Sequence, residues 1–270
     1  MEMTDNAASR QPCAHLTDRS RRLCRYLAEY GAYMLGCGAT CIRISKNINR
    51  ISRTIGMSAD MIILPSHIVV TLADDASGET CQYSCGIPKV PVSYAINSGL
   101  SQLSWRVAEG RETIEESESS FRQIIAMRPY NPWIVMLLVT AANASFCRLF
   151  GGGWDAMAIV ALATAMGYTL KNILLSRGLD IKVVFLLCSF LSAIVGSAGY
   201  VFGWCGDPEV ALGTSVLYLI PGIPYINSVS DMIDGHYLCG FSRFMSALLL
   251  TGCIALGLTG GFLLMNITIF

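Results

Sequence analysis

Charge is what this chain has least of, and the shortage falls on one half. Only 14% of the 270 residues are Asp, Glu, Lys or Arg, against about 25% in an average soluble domain. By residue 130 the chain has used 14 of its 19 Lys and Arg and 13 of its 19 Asp and Glu. A domain boundary is therefore expected near Pro129-Tyr130-Asn131-Pro132, with a polar domain over 1–130 and an apolar one over 131–270. The formal net charge is zero, which leaves no basic excess to neutralise phosphates and argues against nucleic acid as a partner.

Histidine is scarce, with three in the whole chain. HExxH, GxSxG and P-loop patterns are missing, so zinc-peptidase, serine-hydrolase and ATP-driven chemistry lack their residues. No enzyme activity, cofactor or metal is expected, and an ion or proton gradient is the default source of energy. The first apolar run long enough for a secretory leader comes after residue 130, so none is expected. Cysteine, by contrast, is plentiful at eleven. Cys37/Cys41 and Cys81/Cys85 are spaced CxxxC rather than CxxC, and reduced thiols are the expected reading.

Uncharged runs mark five expected spans: Pro129–Cys147, Trp154–Leu175, Val183–Gly206, Val210–Ser230 and Phe244–Phe270. Each holds about the 20 residues that a bilayer requires. Lys171 interrupts the second near its end, where it can snorkel to the headgroups. Trp133, Trp154 and Trp204 fall near span ends, as interfacial anchors do. Arg177 and Lys182 lie between spans two and three, and Arg243 follows the loop between four and five. The opposite loops carry Arg148 alone, or only Asp207 and Glu209. This asymmetry predicts a cytosolic N-terminus and an external C-terminus.

The polar half reads as a compact α+β domain. Leu23, Leu27, Tyr30 and Met34 share one helix face, and Ile44, Ile48, Ile51 and Ile55 another. Met61–Leu72 reads as a strand, paired through a turn at Asp74–Gly78 with Glu79–Cys85. His67 is expected in the core of that strand. Ile96, Leu100, Leu103 and Val107 mark a third helix, and Thr113 with Glu116 a capping box that opens a fourth. Arg43, Lys46, Arg50 and Arg53 form a basic stripe, either a solvated face or a rest for anionic headgroups.

Two stretches depart from what a span needs. In "YLIPGIPYINSVSDMIDGHY", Pro221, Gly222 and Pro224 sit near the middle of the fourth run, and two prolines should open the helix there. Unpaired backbone at that depth requires cover by protein or a water-filled cavity. A half-helix starting near Pro224 would aim its positive end at the midplane, which suits a carboxylate. Asn227 and Asp231 then share one face of it, and partial burial near the cytosolic end would let Asp231 carry a proton. The plainer alternative is a proline kink, with Asp231 as a cap or an ion-pair partner of Arg243. In "NASFCRLFGGGWDA", Asn143 and Arg148 lie in or near the first span, before three glycines and Asp155.

Together these residues resemble the threonine/serine exporter family in its split form. The likeness runs through Gly31–Met57, Ser145–Met157 and Ile220–Arg243. It singles out Gly151, Gly152, Asp155, Pro221, Gly222, Pro224, Asn227, Asp231, Gly235, Gly240 and Arg243 as the matching positions. The resemblance implies a subunit of a gradient-driven exporter of small carboxylate-bearing metabolites, threonine and serine or a C4-dicarboxylate such as succinate. It implies the bacterial inner membrane and a small multi-span partner subunit. Pro221, Gly222, Pro224, Asn227, Asp231 and Asn143 are the expected substrate path. Gly151, Gly152, Asp155, Gly235 and Arg243 are the expected structural or gating positions. A membrane-tethered sensor or scaffold, working through its cytosolic domain, is the competing reading.

Overall fold

The computed structural model describes residues 18–127 and 130–267. Pro129, where the first apolar run begins, and Phe270, where the last one ends, lie outside the described residues. The described chain divides into two compact units, one of residues 18–127 with 227–242, the other of 130–226 with 243–267.

The first unit opens with α1 (Asp18–Gly36) and α2 (Cys41–Arg53). They are followed by an antiparallel sheet, β1 (Met57–Ile63), β2 (His67–Asp74) and β3 (Thr80–Gly86), in the order β1-β2-β3. Next come α3 (Tyr94–Ala108) and α4 (Ile114–Ile125). The expected helix faces are the core: Leu27, Tyr30, Met34, Ile44, Ile48, Ile51, Leu100 and Leu103 are fully buried. Each such apolar side chain contributes about 1.5–3 kcal/mol. Gly31 lets α1 approach the sheet, since a Cβ there would lie 2.8 Å from Ile68 Cδ1 and 2.9 Å from Ile48 Cδ1. The capping box forms, with Glu116 N donating to Thr113 Oγ1 and Thr113 N to Glu116 Oε2.

Two expectations fail in the sheet. The apolar run Met61–Leu72 is two strands rather than one. Pro65 lacks the N–H a ladder needs, and the chain turns there, with Leu64 N donating to His67 O at 2.9 Å. His67 is exposed, because it opens β2 and the alternation sends Ile68, Val70 and Leu72 inward instead. Arg50 leaves the basic stripe to stack over Trp105, 3.8 Å from the ring centroid, and donates to Asn47 Oδ1 and Ser104 Oγ.

The second unit is helical: α5 (Pro132–Leu149), α6 (Trp154–Ser176), α7 (Ile181–Val201) and the short α8 (Pro208–Thr214), followed by a 3-10 turn at Leu217–Leu219. Next are α9 (Gly222–Ile233) and α10 (Tyr237–Leu264), which carry the chain through residues 227–242 of the first unit. Among the described residues, α5, α6, α7 and α10 are long and apolar enough to cross a membrane. The segment Pro208–Leu219 with Gly222–Ile233 passes the same test as one broken span, bent by 63°. The chain is a multi-pass membrane protein with four such helices, or five spans if the broken pair is one. α10 begins before Arg243, not after it. One half-buried arginine in the second turn does not end a helix when the residues around it continue the pattern.

Small residues knit the second unit. A Cβ at Gly257 would collide with Ser189 and the Leu186 carbonyl, and one at Gly261 would lie 2.5 Å from Ala193 Cβ. A Cβ at Gly199 would lie 2.6 Å from Ile159 Cδ1. These faces thus serve close helix packing within the chain.

Candidate functional site

The bent pair Pro208–Leu219 and Gly222–Ile233 breaks where the sequence places its prolines, and the two prolines do different jobs. α8 and the 3-10 turn end at Ile220, whose backbone is extended (φ −59°, ψ 124°). Pro221 then supplies the carbonyl that receives the first bond of α9, from Tyr225 N at 3.3 Å. Pro224 stands in the first turn of α9, where no intrahelical N–H is required. So Pro221 marks the break and Pro224 fits the first turn of the new helix, which begins at Gly222. At Gly222 a Cβ would meet nothing within 4 Å, so packing does not demand glycine there. Gly222 stands at the start of α9, the end of a helix that carries partial positive charge.

Polar side chains of the second unit gather on the first half of the broken span. Asn143 of α5 is buried and donates to Thr164 Oγ1 at 2.6 Å and to the Thr214 carbonyl, at the end of α8, at 3.2 Å. The Tyr218 hydroxyl lies 3.0 Å from Ser192 Oγ and seats over Gly167, where a Cβ would collide with it. Gly196 gives similar clearance, since a Cβ there would be 2.9 Å from Ser215. Thr164, Ser192, Thr214 and Tyr218 were not singled out in the sequence. Their only signal is a hydroxyl inside an apolar helix, which recurs in spans that serve no transport.

The glycine-rich loop after α5 is a helix stop. Gly151 is left-handed (φ +92°); its N–H donates to Arg148 O and that of Gly152 to Cys147 O, both at 3.0 Å. This is a Schellman closure. A Cβ at Gly152 would lie 2.6 Å from Cys147 Sγ. Two carboxylates then tie this loop to the one before α8: Gly206 N donates to Asp155 Oδ2 at 2.6 Å, and Gly153 N to Asp207 Oδ2 at 3.0 Å.

In the first unit, the second half of α9 meets the turn between α1 and α2. Asn227 Nδ2 donates to the Gly38 carbonyl at 2.8 Å, and Asp231 Oδ1 accepts from Cys41 N at 2.7 Å. Gly38 is left-handed (φ +90°), with Val92 Cγ1 2.9 Å from where a Cβ would stand. Asp231, fully buried, thus caps the start of α2. Gly235 (φ +85°) closes α9 with the same Schellman pattern: His236 N donates to Asp231 O and Gly235 N to Met232 O. Gly240 lets α10 lie against α9, since a Cβ there would sit 2.9 Å from the Ser228 carbonyl; Ser228 Oγ donates to Gly240 O. Arg243 lies half-buried in α10. The sulfurs of Cys37, Cys41, Cys81 and Cys85 do not gather; among the described residues, Cys41 groups instead with Asp231 and Cys239.

A groove of about 570 Å³ in the first unit runs beside Leu23, Ile55 and Glu118. Its charges are already matched, as Arg22 Nη2 meets Glu118 Oε2 at 2.7 Å.

Residues 25–265 match the family described as "Putative threonine/serine exporter". The chain belongs to this family. It is 28% identical over 243 residues to the "Probable succinate transporter subunit YjjP" of Escherichia coli, covering 89% of this chain and 94% of that protein. The YjjP of Klebsiella aerogenes, with the same description, is 27% identical over 88% of this chain and 92% of its own. A "Probable threonine/serine exporter" of Mycobacterium tuberculosis is 24% identical over 61% of this chain and 31% of its own length. No solved structure matches.

In this threonine/serine exporter family member, the sequence-marked residues other than Gly240 and Arg243 of α10 fall into three groups. Pro221, Gly222 and Pro224 lie at the break, and Asn143 ties α5 to the end of α8. Asn227, Asp231 and Gly235 hold the α1–α2 turn and the end of α9. Gly151, Gly152 and Asp155 shape a loop at one end of the second unit.

Proposed function

We propose that this chain is the larger subunit of a two-component, gradient-driven exporter of small carboxylate-bearing metabolites, with threonine, serine and a C4-dicarboxylate such as succinate as the candidate cargo. It crosses the bacterial inner membrane five times, with the N-terminal domain in the cytosol and the C-terminus outside. It transports and does not catalyse a covalent reaction.

The observation that carries this reading is the broken fourth span. Broken helices at membrane depth place half-helix ends and free backbone groups around a substrate in many transporters. Here the break puts the positive start of α9 beside an open position at Gly222. A carboxylate is the group that such an end favours. The Asn143 NH2 is spent on Thr164 and the Thr214 carbonyl and the Thr164 hydroxyl on Val160 O, so the Asn143 side-chain oxygen is the acceptor left for an amino or hydroxyl group of the cargo. Two relatives described as transporter subunits support a partner.

Deletion of the gene tests the reading. Cells lacking it should retain more of the exported metabolite than the parent strain, and the complementing gene should reverse this. Equal intracellular threonine, serine and succinate in both strains would favour a sensor or scaffold.

A further inference from the structure

We propose that Cys41, Asp231 and Cys239 form a binding site for a borderline-soft divalent cation of the zinc class. The three residues come from three elements of the first unit: Cys41 opens α2, Asp231 lies in the last turn of α9, and Cys239 lies in the first turn of α10. All three are fully or nearly fully buried. Their ligand atoms, two Sγ and one carboxylate oxygen, all lie within 4.8 Å of one another.

Zinc binds thiolate sulfur at about 2.3 Å and carboxylate oxygen at about 2.0–2.2 Å, so tetrahedral ligands stand roughly 3.5 Å apart. The trio therefore needs side-chain adjustments of about an ångström, without refolding of the backbone that carries it. Two sulfurs exclude magnesium and calcium, which take oxygen ligands, and select zinc over them. Three protein ligands leave a fourth position for a water or a thiol.

The surroundings already have the form of a supported site. Asp231 Oδ1 accepts the Cys41 backbone N–H at 2.7 Å, which fixes the carboxylate relative to the first sulfur; outer hydrogen bonds of this kind orient metal ligands. Cys41 and Cys239 both lie in the first turn of a helix, the end that favours an anion. Gly235 closes the turn between Asp231 and Cys239, and both flank the exposed pair Asp234 and Gly235 within four residues, so solvent is near. A bound ion would staple α2 to the α9–α10 turn. Local sequence spacing hides the site, because Cys41 lies 190 positions from Asp231.

Metal content of the full chain, purified reduced in detergent, tests this independently of transport. Zinc should bind tightly at a single site, survive dialysis, and raise the thermal unfolding temperature. Cys41→Ser and Cys239→Ser should each weaken it by about 10-fold to 100-fold or more, while Cys253→Ser should bind as the wild type does. If either serine variant aggregates, cobalt loading of the wild type replaces it: thiolate-to-cobalt charge-transfer bands with tetrahedral d–d absorption are expected. Wild-type protein that holds no zinc and gives no such bands would overturn the site and leave two thiols beside a capping carboxylate. Zinc binding unchanged in both serine variants would overturn it as well. Neither result bears on export, which is read by flux.

Discussion

Asp231 Oδ1 accepts the backbone N–H of Cys41 at 2.7 Å, joining residues 190 positions apart in the chain. One carboxylate near the end of a membrane-type helix thereby caps the second helix of the N-terminal unit. Capping alone accounts for about 0.5–2 kcal/mol, so the proposed transport role has to be separated from it.

Asp231→Asn makes that separation. The amide oxygen can still accept from Cys41 N, while the negative charge is gone. The variant is expected at normal level in the membrane with export reduced at least about tenfold, a difference of roughly 1.4 kcal/mol. Quantitative blotting and metabolite efflux read the two effects. Unchanged efflux would remove Asp231 from the transport path.

Asn143→Leu removes the donor to Thr164 and to the Thr214 carbonyl while keeping the branching and the number of side-chain heavy atoms. Hydrogen bonds between helices in a membrane average only about 0.6 kcal/mol. Thermal stability should therefore fall by no more than about 2 kcal/mol, whereas export is expected to be lost. A large stability loss with normal export per folded molecule would make Asn143 a packing residue.

Gly222→Ala adds a methyl where nothing lies within 4 Å. The fold should accept it, and alanine is the better helix former by up to about 1 kcal/mol. If the space belongs to the cargo, the apparent affinity for substrate falls while the folded fraction does not. An alanine variant with unchanged substrate dependence would place the path elsewhere.

Gly257→Leu and Gly261→Leu push side chains into α7. They are expected to lower the amount of folded chain even without any partner, as overpacking costs about 1–3 kcal/mol or more. Detergent-solubilised yield and melting temperature read this. Normal folding combined with lost association would move these glycines to the partner interface.

Much of this organisation could be read from local pattern. The helix faces of Leu27–Met34 and Ile44–Ile51 follow the 3.6-residue period, and the apolar runs give α5, α6, α7 and α10. The break at Pro221 follows from backbone chemistry alone. Apolar residues on both sides of Pro65 hide the turn, so the pattern alone implies one strand where there are two and a core position for His67. The partners of Asn227 and Asp231 were also hidden. Periodicity reports which face a residue occupies, and Gly38 and Cys41 reach these residues only through tertiary folding. The same holds for Thr164 and Thr214, whose hydroxyls matter because Asn143 arrives from another helix.

The central claim is transport, and flux through a sealed membrane measures it most directly. Vesicles containing this chain, with and without a candidate small membrane partner, are given labelled threonine, serine or succinate and an imposed proton gradient. The account predicts gradient-dependent movement of at least one of these cargoes when both subunits are present, with little from this chain alone. Full transport by this chain alone would contradict the two-component arrangement, and no movement of any cargo with both subunits would contradict the exporter reading itself.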